Sequence, residues 1–271
     1  MTTIDETMVA QWREAIGRRV SQRQVLHRGD LRRFAVAVGC ETDDAAVPLP
    51  HWAFFLPMPA DREIGEDGHP RRGDFLPAIT LQRRMFAAAA MTFEVPLTLD
   101  EEATLDSEIV DVRHKSGRSG DLVFVEVERI VRQAGTVRVR ERQSYVYRDH
   151  GARVAMPEAV TPSPAGERWQ PDEVRLFRFS AATFNSHRIH YDLPYATAVE
   201  GYPALVVHGP FTAARLAALA ARRGTLAGFS FRAEAPLFLG QPVFLETAGD
   251  DVVQAVRCDG AVAMRATVAY R

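Results

Sequence analysis

The sequence contains one lysine, Lys115, and only two cysteines, Cys40 and Cys258, among its 271 residues. The cysteines lie far apart and form no C-x-x-C pair, which argues against a structural zinc site and favours free thiols over a disulfide. Nearly every basic residue is therefore an arginine. A GC-rich genome explains this bias, although arginine also suits bidentate binding of phosphate or carboxylate groups.

The chain also lacks a strong excess of charge and a long apolar run. Its formal net charge is −2, so no overall field favours nucleic acid or an anionic membrane. No segment approaches the roughly 18 consecutive apolar residues that a membrane span needs. The charged N-terminal segment, residues 1–17, has no signal-peptide core. We therefore expect a cytoplasmic protein that binds neither nucleic acid nor membrane.

Several common catalytic signatures are missing as well. No G-x-G-x-x-G or Walker-type loop follows a predicted strand, which excludes the usual dinucleotide and nucleoside triphosphate sites. No serine lies in G-x-S-x-G, which disfavours a hydrolase with a nucleophile elbow. The composition is otherwise ordinary for a globular protein, with 46% hydrophobic and 25% charged residues. The length suits one large domain or two domains of about 130 residues each.

Two short helices are predicted near the N-terminus. Residues 7–16 have apolar side chains near one face, and Thr7 can cap this helix. Residues 29–39 predict a second helix, which Asp30 can cap and Gly39 ends.

The rest of the first half is predicted to be mostly strand. Residues 19–26 alternate weakly and predict a strand between the two helices. A Pro-rich, Gly-rich and charged stretch at 56–80 predicts a long loop, and long loops inside compact domains are often functional. From 105 to 148, three alternating segments separated by turns predict an antiparallel meander.

The second half repeats this coarse order. Residues 151–172 have no periodicity and many Pro and Ala residues, which indicates a linker. We expect a short strand at 173–180, a helix over 208–224 with Pro210 in its first turn, and strands again over 226–271. The shared order suggests a duplicated unit in which a sheet wraps one helix. Two unrelated α+β domains are the alternative.

Residues 178–192, RFSAATFNSHRIHYD, bring two histidines and an asparagine together. His190 is a candidate for proton transfer, because imidazole titrates near neutral pH. A lone histidine is more often structural, but His187 lies three residues earlier and Asn185 five residues earlier. Asn185 can hold a water or a carbonyl without adding charge, although an Asx turn or a helix cap is the alternative.

A second cluster, LVVHGPFTAARL at 205–216, follows. The predicted helix starts just after His208 and Gly209, and its first backbone N–H groups have no intrahelical partner. They lie at the positive end of the helix dipole, which favours a developing oxyanion. The alternative for Gly209 is a tight turn. In the first cluster, Arg188 suits an anionic substrate group, unless it is a solvated surface residue.

The spacing of His187 and His190 would allow a metal ion on one helical face. Arg188 intervenes, and no neighbouring acid or cysteine completes a set of ligands. We therefore predict that no metal is bound.

Together these residues resemble the MaoC-like hydratase/dehydratase family. The resemblance is most specific over 177–215, where FSAATFNSHRIHYD is followed by YATAVEGYPALVVHGP. The segments GDLRRFAVAVG and GDFLPAITLQRRMFAAAAMTFEVPL extend it over nearly the whole chain. The branch it resembles most contains hydratases of 3-methylfumaryl-CoA (mesaconyl-CoA) and itaconyl-CoA, with fungal-type 3-hydroxyacyl-thioester dehydratases nearby.

The resemblance implies an α+β double hotdog, two antiparallel sheets each wrapped around a long helix. The N-terminal hotdog would span 1–150, the linker 151–172, and the C-terminal hotdog with the catalytic motif 173–271. The implied activity is that of a hydro-lyase acting reversibly on an enoyl-CoA, a short branched dicarboxylic one in this branch. It implies no cofactor, an acyl-CoA as the substrate partner, and leaves a homodimer open. A hotdog thioesterase and a non-catalytic acyl-CoA-binding protein are the alternatives.

The family signature G-D-x-N-P-x-H has a catalytic Asp and a catalytic His. By spacing, His190 takes the His position and Asn185 takes the Asp position, so the usual acid is missing. Gly209 matches the glycine whose N–H is thought to bind the thioester oxygen. Arg188 is the first candidate to meet a second carboxylate, and Arg84 and Arg83 are weaker candidates. The remaining expected substrate-binding residues are His187, Tyr191 and His208.

Overall fold

The computed structural model describes residues 4–40, 47–117, 120–149 and 151–271. Its helices are α1 (Glu6–Arg13), α2 (Arg28–Ala37), α3 (Glu173–Thr183) and α4 (Gly209–Ala221). Its strands are β1 (Arg19–Val25), β2 (Arg83–Phe93), β3 (Glu102–Gly117), β4 (Gly120–Gln133), β5 (Thr136–Arg148), β6 (Glu167–Trp169), β7 (Leu226–Ala233), β8 (Val243–Thr247), β9 (Val252–Arg257) and β10 (Val262–Tyr270).

These ten strands form one antiparallel sheet with the order β1-β3-β4-β5-β2-β7-β10-β9-β8-β6. The sheet has two equivalent halves, which meet where β2 pairs with β7. Outward from β2 come β5, β4, β3 and β1, and outward from β7 come the corresponding strands β10, β9, β8 and β6. The central pair runs from Ala88 opposite Arg232 to Thr92 opposite Gly228. The duplicated α+β unit expected from the sequence, a double hotdog, is therefore confirmed.

Helix α4 lies against the sheet of the second half and also contacts β2 of the first. Its sheet-facing side is rich in alanine, with Ala213, Ala214 and Ala217 fully buried beside Leu216. Small side chains let the helix axis approach the strands closely, so the N-terminal tip of α4 is held firmly in place. The counterpart in the first half, α2, is three residues shorter and packs against α3.

The two N-terminal helices are confirmed, but their predicted caps are wrong. Asp5, not Thr7, caps α1 by accepting a hydrogen bond from the N–H of Met8. Helix α2 begins one residue earlier than expected, so Asp30 lies inside its first turn and pairs with Arg33. Gly39 ends α2 as expected, with a φ of 76°.

The strand expected at 173–180 is wrong, because this segment is helix α3. Asp172 accepts a hydrogen bond from the N–H of Arg175 and caps the helix. The buried side chains, Leu176, Phe179 and Ala182, recur at the spacing of a helical face. In a segment this short, the same apolar residues also fit a strand, and the cap residue decides between the two.

The remaining sequence-based elements are confirmed in outline. The meander at 105–148 is β3, β4 and β5; residues 118–119 of its first turn lie outside the described residues. The stretch 56–80 is a loop with one short 3-10 turn. In the expected linker, 151–172, the strand β6 pairs with β8 at the sheet edge. The domain boundaries themselves stay a prediction.

Both cysteines are free thiols, as expected: Cys258 is buried and Cys40 is half-buried. Across the described residues, no helix is both long and apolar enough to cross a membrane.

Candidate active site

The motif begins where α3 ends. Phe184 takes a left-handed conformation with a φ of 50°, which reverses the chain, and the N–H of Asn185 bonds to the carbonyl of Ser180. A 3-10 turn over Arg188–His190 follows and turns the His190 side chain inward, where it is 7% exposed. The chain then returns to the start of α4, so both sequence clusters meet at one place.

His190 lies at the N-terminal tip of α4. Its ring stacks on that of His208, with centroids 3.6 Å apart, and His208 is the residue immediately before the helix. The Nδ1 atom lies 2.7 Å from the carbonyl oxygen of Val206, which can only accept, so Nδ1 carries the proton. Burial lowers the pKa of His190 to about 3. The imidazole is therefore neutral at pH 7, with the lone pair of Nε2 available as a base.

Gly209 presents an N–H that donates to no protein group among the described residues. His208 does not cap the helix with its side chain; its Nε2 instead hydrogen-bonds to the hydroxyl of Ser180 at 2.9 Å. A Cβ at Gly209 would meet only the carbonyl oxygen of Phe86, at an ordinary 3.6 Å. Protein crowding therefore does not require glycine here, whereas close approach of a ligand would.

Four histidines form a continuous row from this helix tip. His190 lies edge-on to His187, with centroids 5.4 Å apart, and His187 lies 3.9 Å from His69. Burial is the main reason why the pKa values of His187 and His208 lie far below their usual range, and the neighbouring histidines lower them further. His187, His190 and His208 are therefore neutral imidazoles in a site that disfavours positive charge.

Asp67 and His69 belong to the site, and the sequence analysis missed them. They come from the long loop of the first half, at residues 64–72. The Nδ1 atom of His69 lies 3.2 Å from a carboxylate oxygen of Asp67, and the His69 N–H donates to the other oxygen at 2.9 Å. Burial alone would raise the pKa of Asp67, but the hydrogen bonds from His69 outweigh it and hold this pKa at about 2. The only sequence signal was the prediction that this loop is functional.

Backbone contacts clamp this loop onto the motif. The N–H of Arg188 donates to the carbonyl of Asp67 at 2.9 Å, and the hydroxyl of Ser186 donates to the carbonyl of Gly68 at 2.5 Å. Gly68 has a φ of 84°, and a Cβ at this position would overlap the carbonyl oxygen of Ser186. Only glycine satisfies both conditions, so the first half of the chain completes a site that the second half begins.

Arg188 is engaged within the protein. Two of its nitrogens donate to Asp192, at 2.9 and 2.7 Å, a third donates to the carbonyl of Glu66 at 3.1 Å, and the guanidinium lies over the Tyr195 ring. These contacts hold the loop and the motif together. Tyr191, another expected substrate-binding residue, is 53% exposed, and its side chain forms no hydrogen bond with a described residue.

Asn185 forms the Asx turn that was its structural alternative. Its Oδ1 accepts a hydrogen bond from the N–H of His187 at 2.9 Å. The turn fixes the amide group, and its NH₂ donates to no described residue, so it is available to a ligand.

Arg84 and Arg83 are adjacent on β2 but have different surroundings. Arg83 is buried and forms an ion pair with Glu200, with Nε and Oε2 2.7 Å apart. Among the described residues, no carboxylate lies within 4 Å of Arg84, which donates a hydrogen bond to the carbonyl of Pro70 at 3.3 Å and also interacts with the hydroxyl of Tyr147. Its charge contributes to the low pKa values of His69 and His187, after burial. Arg84 is therefore a half-buried cation beside the histidine row, without an ionic partner among the described residues.

The prediction of no metal rested partly on the absence of a third ligand, and that premise is wrong. Asp67 and His69 lie beside His187, and one potential ligand atom from each residue lies within 4.8 Å of the others. Arg84 contributes positive charge at the same place, which opposes a cation. The absence of a metal stays a prediction.

Comparisons with known proteins identify the family of the chain. Residues 49–239 match the family described as hydroxyacyl-thioester dehydratase type 2. The chain is 45% identical to the mesaconyl-C(4)-CoA hydratase of Chloroflexus aurantiacus over 240 residues, which cover 85% of this chain and 86% of that protein.

Two solved structures share the fold. A MaoC-like dehydratase from Phytophthora capsici has a TM-score of 0.65 at 16% identity, covering 97% of this chain and 98% of that one. A Mycobacterium tuberculosis protein described as having a double hotdog fold has a TM-score of 0.55 at 12% identity, covering 93% and 95% of the two chains. The family match and the close bacterial relative together establish that the chain belongs to the hydroxyacyl-thioester dehydratase type 2 family, within the MaoC-like dehydratases.

Proposed function

We propose that this protein reversibly hydrates an enoyl-CoA to a 3-hydroxyacyl-CoA. The observation that carries the proposal is the position of the His190 ring, which stacks on the residue preceding α4, beside the unpartnered N–H of Gly209. A neutral base next to an oxyanion donor is the arrangement that acid–base chemistry at the α-carbon of a thioester needs.

The N–H of Gly209 is proposed to bind the thioester oxygen. Addition of water to the β-carbon moves electrons onto this oxygen and creates an enolate. The helix dipole of α4 and the N–H group are fixed before the reaction starts, so stabilising the enolate requires no reorganisation. Loss of one such donor typically costs about 2.7–4 kcal/mol of barrier.

His190 is proposed to exchange protons with the substrate through Nε2. Its Nδ1–H is held by Val206, which fixes the tautomer and the ring orientation. Positioned acid–base catalysis typically accelerates a reaction by about 10²–10⁴-fold. Asn185 takes the position of the family's acid but cannot accept a proton; its free NH₂ group can orient the water or the hydroxyl group.

A short branched dicarboxylic acyl-CoA is the proposed substrate. The relative from Chloroflexus aurantiacus is named for mesaconyl-C(4)-CoA, which carries a carboxylate on the acyl group. Arg188 was the first candidate to bind this carboxylate, but its guanidinium is occupied by Asp192 and Glu66. Arg84 is the better candidate, because it lies beside the histidine row with no described ionic partner.

The substrate class can be tested by replacing Arg84 with glutamine. Loss of a charge-assisted hydrogen bond to the substrate costs about 1.5–3 kcal/mol. We therefore expect kcat/KM for 3-methylfumaryl-CoA to fall roughly 10- to 150-fold, with a much smaller change for crotonyl-CoA, which has no second carboxylate. Arg188→Gln is the matched control, and we expect it to affect both substrates alike. Equal losses on the two substrates in Arg84→Gln would remove Arg84 from this role.

The activity itself is tested by following the ultraviolet absorbance of the enoyl thioester. The wild-type protein is incubated with 3-methylfumaryl-CoA, itaconyl-CoA and crotonyl-CoA, and loss of absorbance without release of thiol supports hydration. Release of free CoA would instead indicate the hotdog thioesterase. Tight binding without any turnover would indicate an acyl-CoA-binding protein.

The proposed chemistry uses only acid–base and hydrogen-bonding groups of the chain. We therefore propose an enzyme without metal or cofactor, whose small-molecule partner is the acyl-CoA. Cytoplasmic location and assembly into a homodimer stay predictions.

A further inference from the structure

Two histidines of the row differ in the group that holds their Nδ1 atom. His190 is held by a neutral backbone carbonyl, that of Val206, at 2.7 Å. His69 is held by the carboxylate of Asp67 at 3.2 Å. Among the four histidines of the row, His69 is the one with a described anionic partner. A carboxylate stabilises an imidazolium far better than a carbonyl does, so the two rings are suited to opposite ends of a proton transfer.

Given the proposed function, we propose that His69, supported by Asp67, is a second catalytic residue: it exchanges a proton with the hydroxyl group at the β-carbon, while His190 exchanges a proton with the α-carbon. The acid that is missing from the motif at Asn185 is then supplied by the loop of the first half. In this division of roles each histidine serves one carbon.

The order of groups along the row supports this assignment. Gly209 and His190 lie at the helix tip, His187 follows, and His69 lies at the far end with Arg84 beside it. A thioester bound with its oxygen on Gly209 places its α-carbon next to the tip and its β-carbon further along the row. A carboxylate on the β-carbon then extends toward Arg84.

The rigidity of the loop supports a chemical role for His69. Three hydrogen bonds join residues 66–68 to the motif, and Gly68 contacts the carbonyl oxygen of Ser186 too closely to accept any side chain. Catalytic groups must be held within a fraction of an ångström of their working position. A loop that merely covered the site would not need this backbone fit.

The environments of the two rings agree with their roles. Burial lowers the pKa of His69, and the hydrogen bond to Asp67 opposes this effect. In His190, burial dominates, and only the carbonyl of Val206 opposes it. A bound substrate carboxylate adds negative charge beside the row, which favours one proton on the row and places it on His69, next to Asp67.

The proton balance for dehydration is as follows. The α-carbon loses its proton to Nε2 of His190, and the electrons of that C–H bond form the double bond. The C–O bond at the β-carbon breaks, and the leaving hydroxide takes the Nε2 proton of the His69 imidazolium and departs as water. The row holds one proton before and after the step. It moves back to His69 through solvent before the next turnover, and hydration follows the same path in reverse.

The variant His69→Gln tests the proposal, because proton transfer at the α-carbon and proton transfer to the β-hydroxyl group can be measured separately. The saturated 3-hydroxyacyl-CoA is incubated in D₂O; mass spectrometry follows exchange of the α-hydrogen, and absorbance follows dehydration. We expect dehydration to fall by about 100-fold or more, while α-hydrogen exchange stays within a few-fold of wild type. His190→Gln should lose both. Asp67→Asn, which keeps the shape of the side chain, should show the same split to a smaller extent.

His114→Gln is the matched control. His114 also pairs with an aspartate, Asp121, at 2.8 Å, but it lies in the β3–β4 hairpin, and we expect wild-type rates for both reactions. A purely structural role of His69 would lower exchange and dehydration in parallel, and that result would overturn the proposal. Unchanged dehydration in His69→Gln, or a stoichiometric metal bound by Asp67, His69 and His187 in the purified protein, would overturn it too. If the wild-type protein itself neither hydrates nor exchanges, the proposed function fails instead.

Discussion

The two halves of the molecule share a strand order but divide the work of the site. The first half has long strands, with β3 reaching from Glu102 to Gly117, whereas the strands of the second half have nine residues or fewer. The second half provides His190 and the tip of α4. The first half provides the 64–72 loop and Arg84. The candidate site is therefore composite, with groups from both halves of the duplicated fold.

Buried charge also distinguishes the halves. In the first half, Glu141 is 2% exposed and accepts hydrogen bonds from Trp52 and Gln143, with Arg129 3.2 Å away. Burial would raise the pKa of Glu141, but His51, Arg129 and Gln143 hold it at about 2. In the second half, His187, His190 and His208 are buried, and none of them forms an ion pair with a described carboxylate. The carboxylate of Glu141 is thus neutralised by its partners, whereas burial keeps these three histidines neutral.

The largest loss of activity is expected from Gly68→Ala, which disrupts the contact between the 64–72 loop of the first half and Ser186 of the second half. An alanine would adopt an unfavourable φ of 84° and overlap the carbonyl oxygen of Ser186, so the loop must move. A displacement of about 1 Å at a catalytic site can cost roughly 100-fold in rate, and we expect a loss of this order in the hydration assay.

The control for Gly68→Ala is Gly135→Ala, in the β4–β5 hairpin of the first half. Gly135 has a similar φ of 77°, but a Cβ there meets no atom within 4 Å. We expect this variant to lose about 1–2 kcal/mol of stability and to retain its activity. Equal activity in both alanine variants would mean that activity does not depend on the position of the 64–72 loop. That result would refute the composite site.

A smaller effect is expected from pH, and it should arise mainly from the three buried histidines of the second half. The pKa values of His187, His190 and His208 are lowered in the folded state. Below pH 6.5 these residues therefore bind protons in the unfolded chain but not in the folded chain. The stability that these residues contribute is complete above pH 6.5 and is lost as the pH falls. Each contributes up to about 1.4 kcal/mol per pH unit. Urea unfolding between pH 7 and pH 5 measures this slope, which should decrease in His208→Phe; a flat profile would contradict the account.

The sequence predicted more of the candidate site residues in the second half of the chain than in the first half. His190, Asn185 and Gly209 lie in two short clusters, and local sequence was enough to name all three as candidate site residues. Helix α4 and the meander of β3–β5 follow from strong periodicity, and both were predicted. Helix α3 was not, because eight residues cannot separate the two periods without the cap at Asp172.

The contribution of the first half could not be predicted from local patterns. Ser186 and Gly68 are 118 residues apart in sequence, and their contact exists only once the two halves share a sheet. The contact of Arg188 with the carbonyl of Glu66 likewise exists only through the fold, whereas its partner Asp192 lies just four residues away in sequence. Local spacing predicts which groups can react, while the tertiary fold decides which of them remain free.

The most direct test is a crystal structure with a bound, unreactive acyl-CoA, such as a saturated thioester without a 3-hydroxyl group. We expect its thioester oxygen within about 2.7–3.1 Å of the Gly209 nitrogen, its α-carbon next to His190, and its β-carbon on the side of His69. A thioester bound elsewhere, with the row of histidines facing only solvent, would contradict the account.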